Sequence, residues 1–405
     1  MDFNAALSGI QAASTQLGVI GNNVANASTV GFKNSRAEFS DVYAVSGVGV
    51  GSNAIGSGTQ LAAVNQNFSQ GTVSFTNNAL DIAVNGEGFF VLDNNGSRSY
   101  TRAGNFEVDR GGYIVNNSGQ NLVGLISDAN GNITGEVGTL QILSGNIAPQ
   151  ASSAVSVGVN LYSNETPPAV AWVGGSSPPS NTYTSVTSTT LFDSLGNEHV
   201  MSLYFIKDAT NNEWDVRIQV DNADVALTAS QLLFNTNGTY KQTTPSPITA
   251  SFNPTAADPM TITLDLSQST QFGSPFAVES LLQDGFSTGR LDSVDVDNSG
   301  VILGIYTNGE SRAMGQVQLA NFNNTNGLQP IGNSSWAETF GSGPPLVSTP
   351  GTASLGVLQS SSQEESNVDL TSELVSLITA QRNFQANAQT IRTADTVIQT
   401  IINLR

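Results

Sequence analysis

Residues 295–300 of the sequence have the residue types of a calcium loop. They place Asp295, Asp297, Ser299 and Gly300 at loop positions 1, 3, 5 and 6. Such a loop also needs a bidentate glutamate at position 12, where this chain has Tyr306. The residues on both sides alternate between apolar and polar, as strands do. We therefore predict a hairpin turn here and no metal site.

His199 is the only histidine in the chain. One imidazole is enough for a Ser-His-Asp triad, but no G-x-S-x-G elbow accompanies it. It follows a turn at Gly196-Asn197 and opens a predicted strand. We interpret it as a histidine on the surface of a strand.

The glycine-rich segment 47–58 does not fit G-x-G-x-x-G in any register, and the sequence contains no Gly-Lys-Ser/Thr. This excludes both nucleotide-binding motifs, and we interpret the segment as a flexible or irregular connector. The chain has no cysteine, which excludes disulfides and thiolate metal sites. A single histidine also excludes a site built on several imidazoles. We predict no catalytic site, no metal and no cofactor.

The overall charge narrows the range of partners. The chain has 405 residues, with 32 acidic against 13 basic side chains and a formal charge of −19. Nucleic-acid binding needs a basic face, and docking on an anionic membrane needs clustered Lys and Arg. We therefore expect neither partner. The length predicts two to four domains.

The start of the chain has no positive region followed by an apolar stretch, and no apolar run approaches 18 residues. We expect neither a cleaved secretory leader nor a membrane span. If the protein leaves the cytoplasm, it must use an export route that cleaves no such leader.

Apolar residues recur every three or four positions at both ends of the chain, which predicts two amphipathic helices. At the N-terminal end they are Phe3, Leu7, Ile10, Leu17, Ile20 and Val24. At the C-terminal end they are Leu370, Leu374, Leu377, Phe384, Ile391, Ile398 and Ile402. We expect Asn367 or Ser366 to cap the second helix, with Asp369 in its first turn.

The middle of the chain alternates with period two, for example along residues 214–220 and 260–266. Asn-Gly and similar pairs interrupt the alternation at the spacing of tight hairpins. Segments 164–180 and 341–351 are rich in Pro, Gly and Ser and are predicted to be loops or linkers. The middle is therefore predicted to be β-sheet.

The first helix is unusual because no charged residue occurs between Asp2 and Lys33. One interpretation is a helical hairpin formed within the chain. We favour another, because a helix that is neutral all round is usually surrounded by protein. In that interpretation the terminal helices find their apolar contacts in neighbouring copies of the chain.

Several longer stretches resemble one family. "GNNVANASTVGFK" near the start and "SNVDLTSELVSLITAQRNFQANAQTIRTADTVIQTIINLR" at the end resemble the ends of the axial proteins of the bacterial flagellar rod and hook. "ALDIAVNGEGFFVL" and "YTRAGNFEVDRGGYIVNNSGQNLVG" are similar to the β-rich domain that these proteins share. "LFDSLGNEHVMSLYFIKD" resembles the extra domain of hook proteins.

The resemblance implies a mainly β fold with long α-helical termini and nested, discontinuous domains. Residues 1–30 and 364–405 would form a terminal helical domain with a coiled-coil-like core in a tubular polymer, and 31–70 a connector. Residues 71–144 and 285–363 would form an inner β domain, and 145–284 an outer β domain inserted into it. The implied function is that of a structural, non-enzymatic hook subunit in a curved, flexible tube that transmits torque.

Within the first motif we expect a helix stop. Gly21, Asn22, Asn23 and Asn26 can take left-handed or capping conformations. Gly31 permits a sharp reversal of the chain, and Phe32 is an apolar anchor for the connector that follows.

The family also implies partners and a location. The partners are further copies of the chain, the distal rod, hook cap and hook–filament junction proteins, and the type III export apparatus. The location is the extracellular hook, continuous with the basal body. Alternatives are a distal rod subunit of the same family, a secreted β-rich carbohydrate-active enzyme, and an adhesin fibre.

Overall fold

The computed structural model describes residues 3–42, 56–176, 178–241, 247–352 and 354–403. Most of the predicted connector 47–58 lies outside the described residues. Within them the chain forms two α-helices, α1 (Phe3–Ala25) and α2 (Leu370–Asn403), and thirty strands.

The strands before residue 163 are β1 (Ser35–Asp41), β2 (Thr59–Gln66), β3 (Val73–Phe75), β4 (Ile82–Asn85), β5 (Phe89–Asn94), β6 (Ser97–Thr101), β7 (Phe106–Val108), β8 (Ile114–Asn116), β9 (Asn121–Ser127), β10 (Ile133–Thr139) and β11 (Ala154–Tyr162). Those from 185 to 283 are β12 (Ser185–Phe192), β13 (Glu198–Lys207), β14 (Glu213–Val220), β15 (Ala223–Val225), β16 (Gln231–Phe234), β17 (Tyr240–Lys241), β18 (Ile248–Phe252), β19 (Met260–Asp265), β20 (Thr270–Phe272) and β21 (Ala277–Gln283). The remainder are β22 (Leu291–Val296), β23 (Val301–Tyr306), β24 (Ser311–Val317), β25 (Leu319–Asn321), β26 (Gln329–Gly332), β27 (Ser335–Ala337), β28 (Leu346–Ser348), β29 (Val357–Ser360) and β30 (Ser362–Glu364).

The chain divides into two compact units. Unit 1 comprises Met1–Leu143, Ser293–Ile305 and Ser311–Arg405, and unit 2 comprises Ser144–Asp292 and Tyr306–Glu310. The predicted inserted domain 145–284 falls inside unit 2. Both helices and most of the predicted inner β domain fall in unit 1, while residues 144, 285–292 and 306–310 of that predicted domain fall in unit 2.

Unit 2 is a sandwich of two sheets. One sheet has the order β18-β19-β11-β20 with β21 also on β11, and the other has the order β12-β13-β14-β16-β17 with β15 on β14. Alternate residues of strands in both sheets point into one shared core. The largest of its fully buried side chains is Trp214, whose indole nitrogen donates to Gln271 Oε1 at 3.1 Å.

The β part of unit 1 is built around one extended sheet of antiparallel hairpins. Its main path runs β22-β23-β24-β9-β5-β6-β27-β26, and β10, β25, β28, β8 and β7 extend it. The turn at residues 297–300 joins β22 to β23, as the sequence predicts. Asp297 Oδ1 accepts from the Ser299 and Val301 amides at 2.9 and 2.8 Å, and Gly300 has a φ of 83°.

Three short antiparallel pairs lead from this sheet toward the helices. They are β1 with β2, β4 with β29, and β3 with β30. The last pair aligns Val73 with Glu364. This pairing brings the segment that precedes α2 beside β3, which follows the β1–β2 hairpin. The segments that lead to the two helices therefore lie next to each other.

Candidate assembly site: the paired terminal helices

The two terminal helices pack against each other within the chain, and α1 also packs on β1 and β2. Gly9 lies against the Asn387 side chain, and Asn23 donates to Glu373 Oε1 at 3.0 Å. The helices therefore run antiparallel. The expectation that both ends find their apolar contacts only in neighbouring copies is wrong to that extent, because a helical hairpin within the chain supplies part of them.

The seam between the helices is made largely of small residues. Ala6 and Ala13 on α1 and Ala380 and Ala394 on α2 are buried. A Cβ added at Gly9 would come within 2.8 Å of the Asn387 side chain, so that side chain packs directly on the α1 backbone. This seam differs from the predicted stripe of large apolar residues.

The predicted stripe is only partly covered. On α1, Ile20 is buried, Ile10, Leu17 and Val24 are half-buried, and Phe3 and Leu7 are exposed. On α2, Leu377 and Ile391 are half-buried, and Leu370, Leu374, Phe384, Ile398 and Ile402 are exposed. Val375, which lies outside the predicted stripe, is 61% exposed. The helix pair thus presents a large apolar surface to solvent.

Within the described residues, the C-terminal end of α2 extends beyond the start of α1. The register given by the Gly9–Asn387 and Asn23–Glu373 contacts aligns Phe3 with residue 393 of α2. Residues 395–403 therefore extend beyond the described start of α1. In this extension Val397 and Ile398 are 45% and 52% exposed.

Asn23 joins three elements. Its Nδ2 donates to the Ser35 carbonyl at 2.8 Å and to Glu373 Oε1, and its Oδ1 accepts from the Ser35 amide at 2.9 Å. The side chain is 1% exposed. Asn23 therefore fixes α1 to both β1 and the first turn of α2.

The predicted helix stop is placed two to four residues too early. Gly21, Asn22 and Asn23 all lie inside α1, which continues to Ala25. Asn26 carries out the predicted capping role, because its Nδ2 and its amide both donate to the Asn22 carbonyl, at 2.9 and 3.1 Å. The Asn23 side chain does not cap the helix and bonds instead to Ser35 and Glu373.

Gly31 makes the predicted reversal. Its φ is 67°, in the left-handed region, and a Cβ there would lie 2.4 Å from the Ala103 nitrogen. The Gly31 amide donates to the Glu364 carbonyl at 2.8 Å. The half-buried Phe32 follows, and its carbonyl accepts from the Asn367 amide at 3.4 Å.

The cap of α2 also differs from the prediction. Asp369 is the capping residue, since its Oδ1 accepts from the Thr371 and Ser372 amides at 2.9 and 3.3 Å. Asn367 instead bonds across to the N-terminal connector. It accepts from the Asn34 amide and donates to the Asn67 carbonyl, both at 2.8 Å.

A buried ion triad, which is not predictable from sequence pattern, lies where the connector 31–70 meets the segment that precedes α2 (the second connector). Glu364 Oε1 accepts from Lys33 Nζ at 2.6 Å, and Glu364 Oε2 accepts from Arg102 Nη1 at 3.2 Å. Burial lowers the pKa of both Lys33 and Arg102, while the Glu364 carboxylate opposes that shift. The available signal was Lys33 itself, the first charge after the neutral helix.

His199 lies in unit 2 between two carboxylates. Its Nδ1 is 2.6 Å from Asp221 Oδ2, and its Nε2 is 3.4 Å from Asp193 Oδ2. Partial burial acts to lower the pKa of His199, but the bonds and charges of the two aspartates outweigh it, so the pKa is raised above 6.5. Burial also opposes ionisation of Asp193, yet hydrogen bonds from Asn197, His199 and Leu195 lower its pKa to about 2.

Among the described residues, no three His, Cys, Asp or Glu side chains are grouped so that they could hold a metal ion. In the same part of the chain, neither helix has the length and apolarity that a membrane span requires.

Four family models match the chain in order. The model for flagella basal body rod proteins matches residues 3–33, and that for the D1 domain of the flagellar hook proteins FlgE/F/G matches 83–159. The model for the D2 domain of the flagellar basal body protein FlaE matches 160–286. The C-terminal model of the basal body rod proteins FlgEFG matches 359–404.

Similar proteins cover the whole length. The flagellar hook protein FlgE of Escherichia coli K12 is 38% identical over 100% of both chains. That of Borreliella burgdorferi is 32% identical over 98% of both chains. The crystal structure of Helicobacter pylori flagellar hook protein FlgE2 matches with a TM-score of 0.53 at 15% identity, covering 71% of this chain and 99% of that one. This structural match shows that the fold is shared.

A mainly β chain whose two ends pair as exposed apolar helices is a structural subunit of the flagellar axial class. More particularly, the chain belongs to the flagellar hook protein family, FlgE, and is a structural subunit of the flagellar hook. The predictions of the family, of the fold class and of a structural subunit of the hook are confirmed. The location is accordingly the flagellum.

Proposed function

We propose that the exposed apolar faces of α1 and α2 are the surface through which copies of this subunit pack into the core of the hook. The observation that carries this proposal is the exposure of large apolar side chains along α2, including Leu374 (52%) and Ile398 (52%). Soluble monomers rarely expose a continuous apolar stripe of this length. Burial at about 25 cal/mol per Å² would favour association.

The composition of the helices supports the same proposal. No charged residue lies between Asp2 and Lys33, so α1 can be surrounded on all sides without burying an unpaired charge. The small residues of the seam allow close approach of a pair. The pair, with its apolar outer face, is then the unit that neighbouring copies contact.

The finer functional assignments are inferred from the family. They are the bending tube that transmits torque, the contacts with distal rod, hook cap and junction proteins, and export through the type III apparatus without a cleaved leader. From the family we also infer that the subunit has no enzymatic activity and that the chain is divided into four parts: 1–30 with 364–405, 31–70, 71–144 with 285–363, and 145–284. Full-length similarity to hook proteins supports all of them.

The test places a charge on the exposed stripe of the full-length chain. Leu374→Glu should leave the thermal midpoint of the free chain nearly unchanged, because this side chain is exposed before assembly. It should abolish tube formation, seen by negative-stain electron microscopy at high protein and salt concentration. Leu195→Glu is the matched control, an equally exposed leucine (58%) in unit 2, and should still form tubes. Normal tubes from Leu374→Glu would refute the proposal.

A further inference from the structure

The ion triad is fully enclosed and joins three distant segments of unit 1. The side chains of Lys33 and Glu364 are 0% exposed, and that of Arg102 is 5% exposed. Lys33 follows the exit of α1, Arg102 follows β6, and Glu364 ends β30, shortly before α2. Residues 33 and 364 are 331 positions apart. One carboxylate therefore joins both helix connectors to the β part of the unit.

The surrounding backbone completes the site. Glu364 Oε1 also accepts from the Gly71 amide at 2.9 Å, and Lys33 Nζ donates to the Ser69 carbonyl at 2.8 Å. Arg102 Nη2 donates to the Gly86 carbonyl at 2.8 Å. These hydrogen bonds are directional, so all of them form together only when the three segments keep this relative position.

Further contacts close to the triad join the segment that follows α1 to the segment that precedes α2. The Gly31 amide donates to the Glu364 carbonyl, and residue 31 has no room for a Cβ against Ala103. Asn367 ties its connector to Asn34 on the other. The two connectors therefore pass side by side, and Glu364 bonds to the first with both its side chain and its backbone.

Energetically, such a triad is a poor source of net stability. Removing three charges from water opposes folding, and their mutual attraction roughly offsets this loss. Two cations share one anion, and the Arg102 Nε finds no hydrogen-bond partner among the residues that the structure describes. Apolar side chains of similar size would fill the site without these losses, yet they would accept many alignments. Buried polar groups are best attested where they specify register.

We propose that the Lys33–Glu364–Arg102 triad is a positioning device that sets the alignment of the helix pair on the β part of unit 1 without adding net stability. Glu364 is the central positioning residue, because both cations bond to it. The triad selects one alignment among several that apolar packing alone would permit.

The test compares removal of one partner with replacement of all three in the full-length, unassembled chain. Glu364→Gln leaves two buried cations without their anion, so its thermal midpoint should fall by about 5–10 °C. The combined Lys33→Met, Arg102→Met and Glu364→Leu chain should melt within about 3 °C of the parent. Glu365→Gln, at the exposed neighbouring position, is the control and should behave like the parent.

The alignment of the helix pair on the β part of unit 1 is measured in a separate experiment that does not depend on stability. The chain has no cysteine, so spin labels at Val375→Cys on α2 and Val108→Cys on β7 report one distance by pulsed electron resonance. Both positions are exposed. The parent and Glu365→Gln should give one narrow distance distribution, and the triple replacement should give a broad or divided one.

Two results would overturn the proposal. A triple replacement with the parent's narrow distribution would show that the triad does not set alignment. A triple replacement that melts as low as Glu364→Gln, or a Glu364→Gln chain that melts like the parent, would contradict the energetic account. Neither readout requires assembly, so a failure here is distinct from a failure of the helix-packing proposal.

Discussion

Unit 2 and the terminal helix pair use apolar side chains of similar size but bury them to different extents. In unit 2 the inward residues of two sheets meet, and Val155, Leu203 and Phe205 are 0% exposed. In the helix pair the buried residues are mainly alanines, while leucines and isoleucines of α2 face solvent. Unit 2 completes its core within one chain. The helix pair leaves part of its apolar surface exposed to solvent, and in our proposal another copy of the subunit covers it.

The largest loss of stability is expected from a substitution in the buried core of unit 2. Trp214→Ala removes a 1%-exposed indole and its hydrogen bond to Gln271. It should destabilise unit 2 by about 3–5 kcal/mol, measured as loss of amide exchange protection in β13 and β14. Trp172→Ala is the matched control, because that ring is half-buried and lies 4.9 Å from the Tyr204 ring. Equal losses from the two variants would contradict the assignment of the core.

A smaller loss of stability is expected at Asn23, which bonds α1 to β1 and to α2. Asn23→Ala leaves the Ser35 amide and carbonyl without their partner. The helix pair should lose about 1–3 kcal/mol of local stability, read from hydrogen exchange in α1. Asn22→Ala, at the exposed neighbouring position, should change exchange by less than about 0.5 kcal/mol. If the two variants exchanged alike, Asn23 would have no bridging role.

The smallest effect is a pH dependence confined to unit 2. The folded pKa of His199 is raised above 6.5, so its ion pairs stabilise fully below the unfolded pKa and this contribution is lost as pH rises through the folded pKa. We expect stability to fall by up to about 1 kcal/mol as pH rises from roughly 6 to 9. His199→Gln should remove the dependence, and its persistence in a thermal series would disprove this origin.

Much of the secondary structure could be predicted from local pattern. The alternation at 214–220 and 260–266 corresponds to β14 and β19, and the stripes at both ends correspond to α1 and α2. These predictions succeed because period two and period 3.6 follow from the geometry of a single element. Gly31 was also predictable, because a left-handed residue favours glycine.

The contacts between elements could not be predicted in the same way. Alanine is a weak apolar signal, so sequence periodicity indicates larger residues such as Leu374 and not the seam that contains Ala13 and Ala380. Asn23 resembles a helix stop in sequence, and only the fold shows its bonds to Ser35 and Glu373. The partners of Lys33 lie far along the chain, where sequence periodicity carries no information about pairing.

The antiparallel pairing of α1 with α2 has a consequence for the order of events in folding. The first helix is synthesised before all the strands and its partner after them, so this contact has a large sequence separation. During vectorial synthesis α1 must wait until α2 has left the ribosome. A chain that stops before α2 cannot form the pair, so the face of α1 that α2 covers stays open until the second helix has been made.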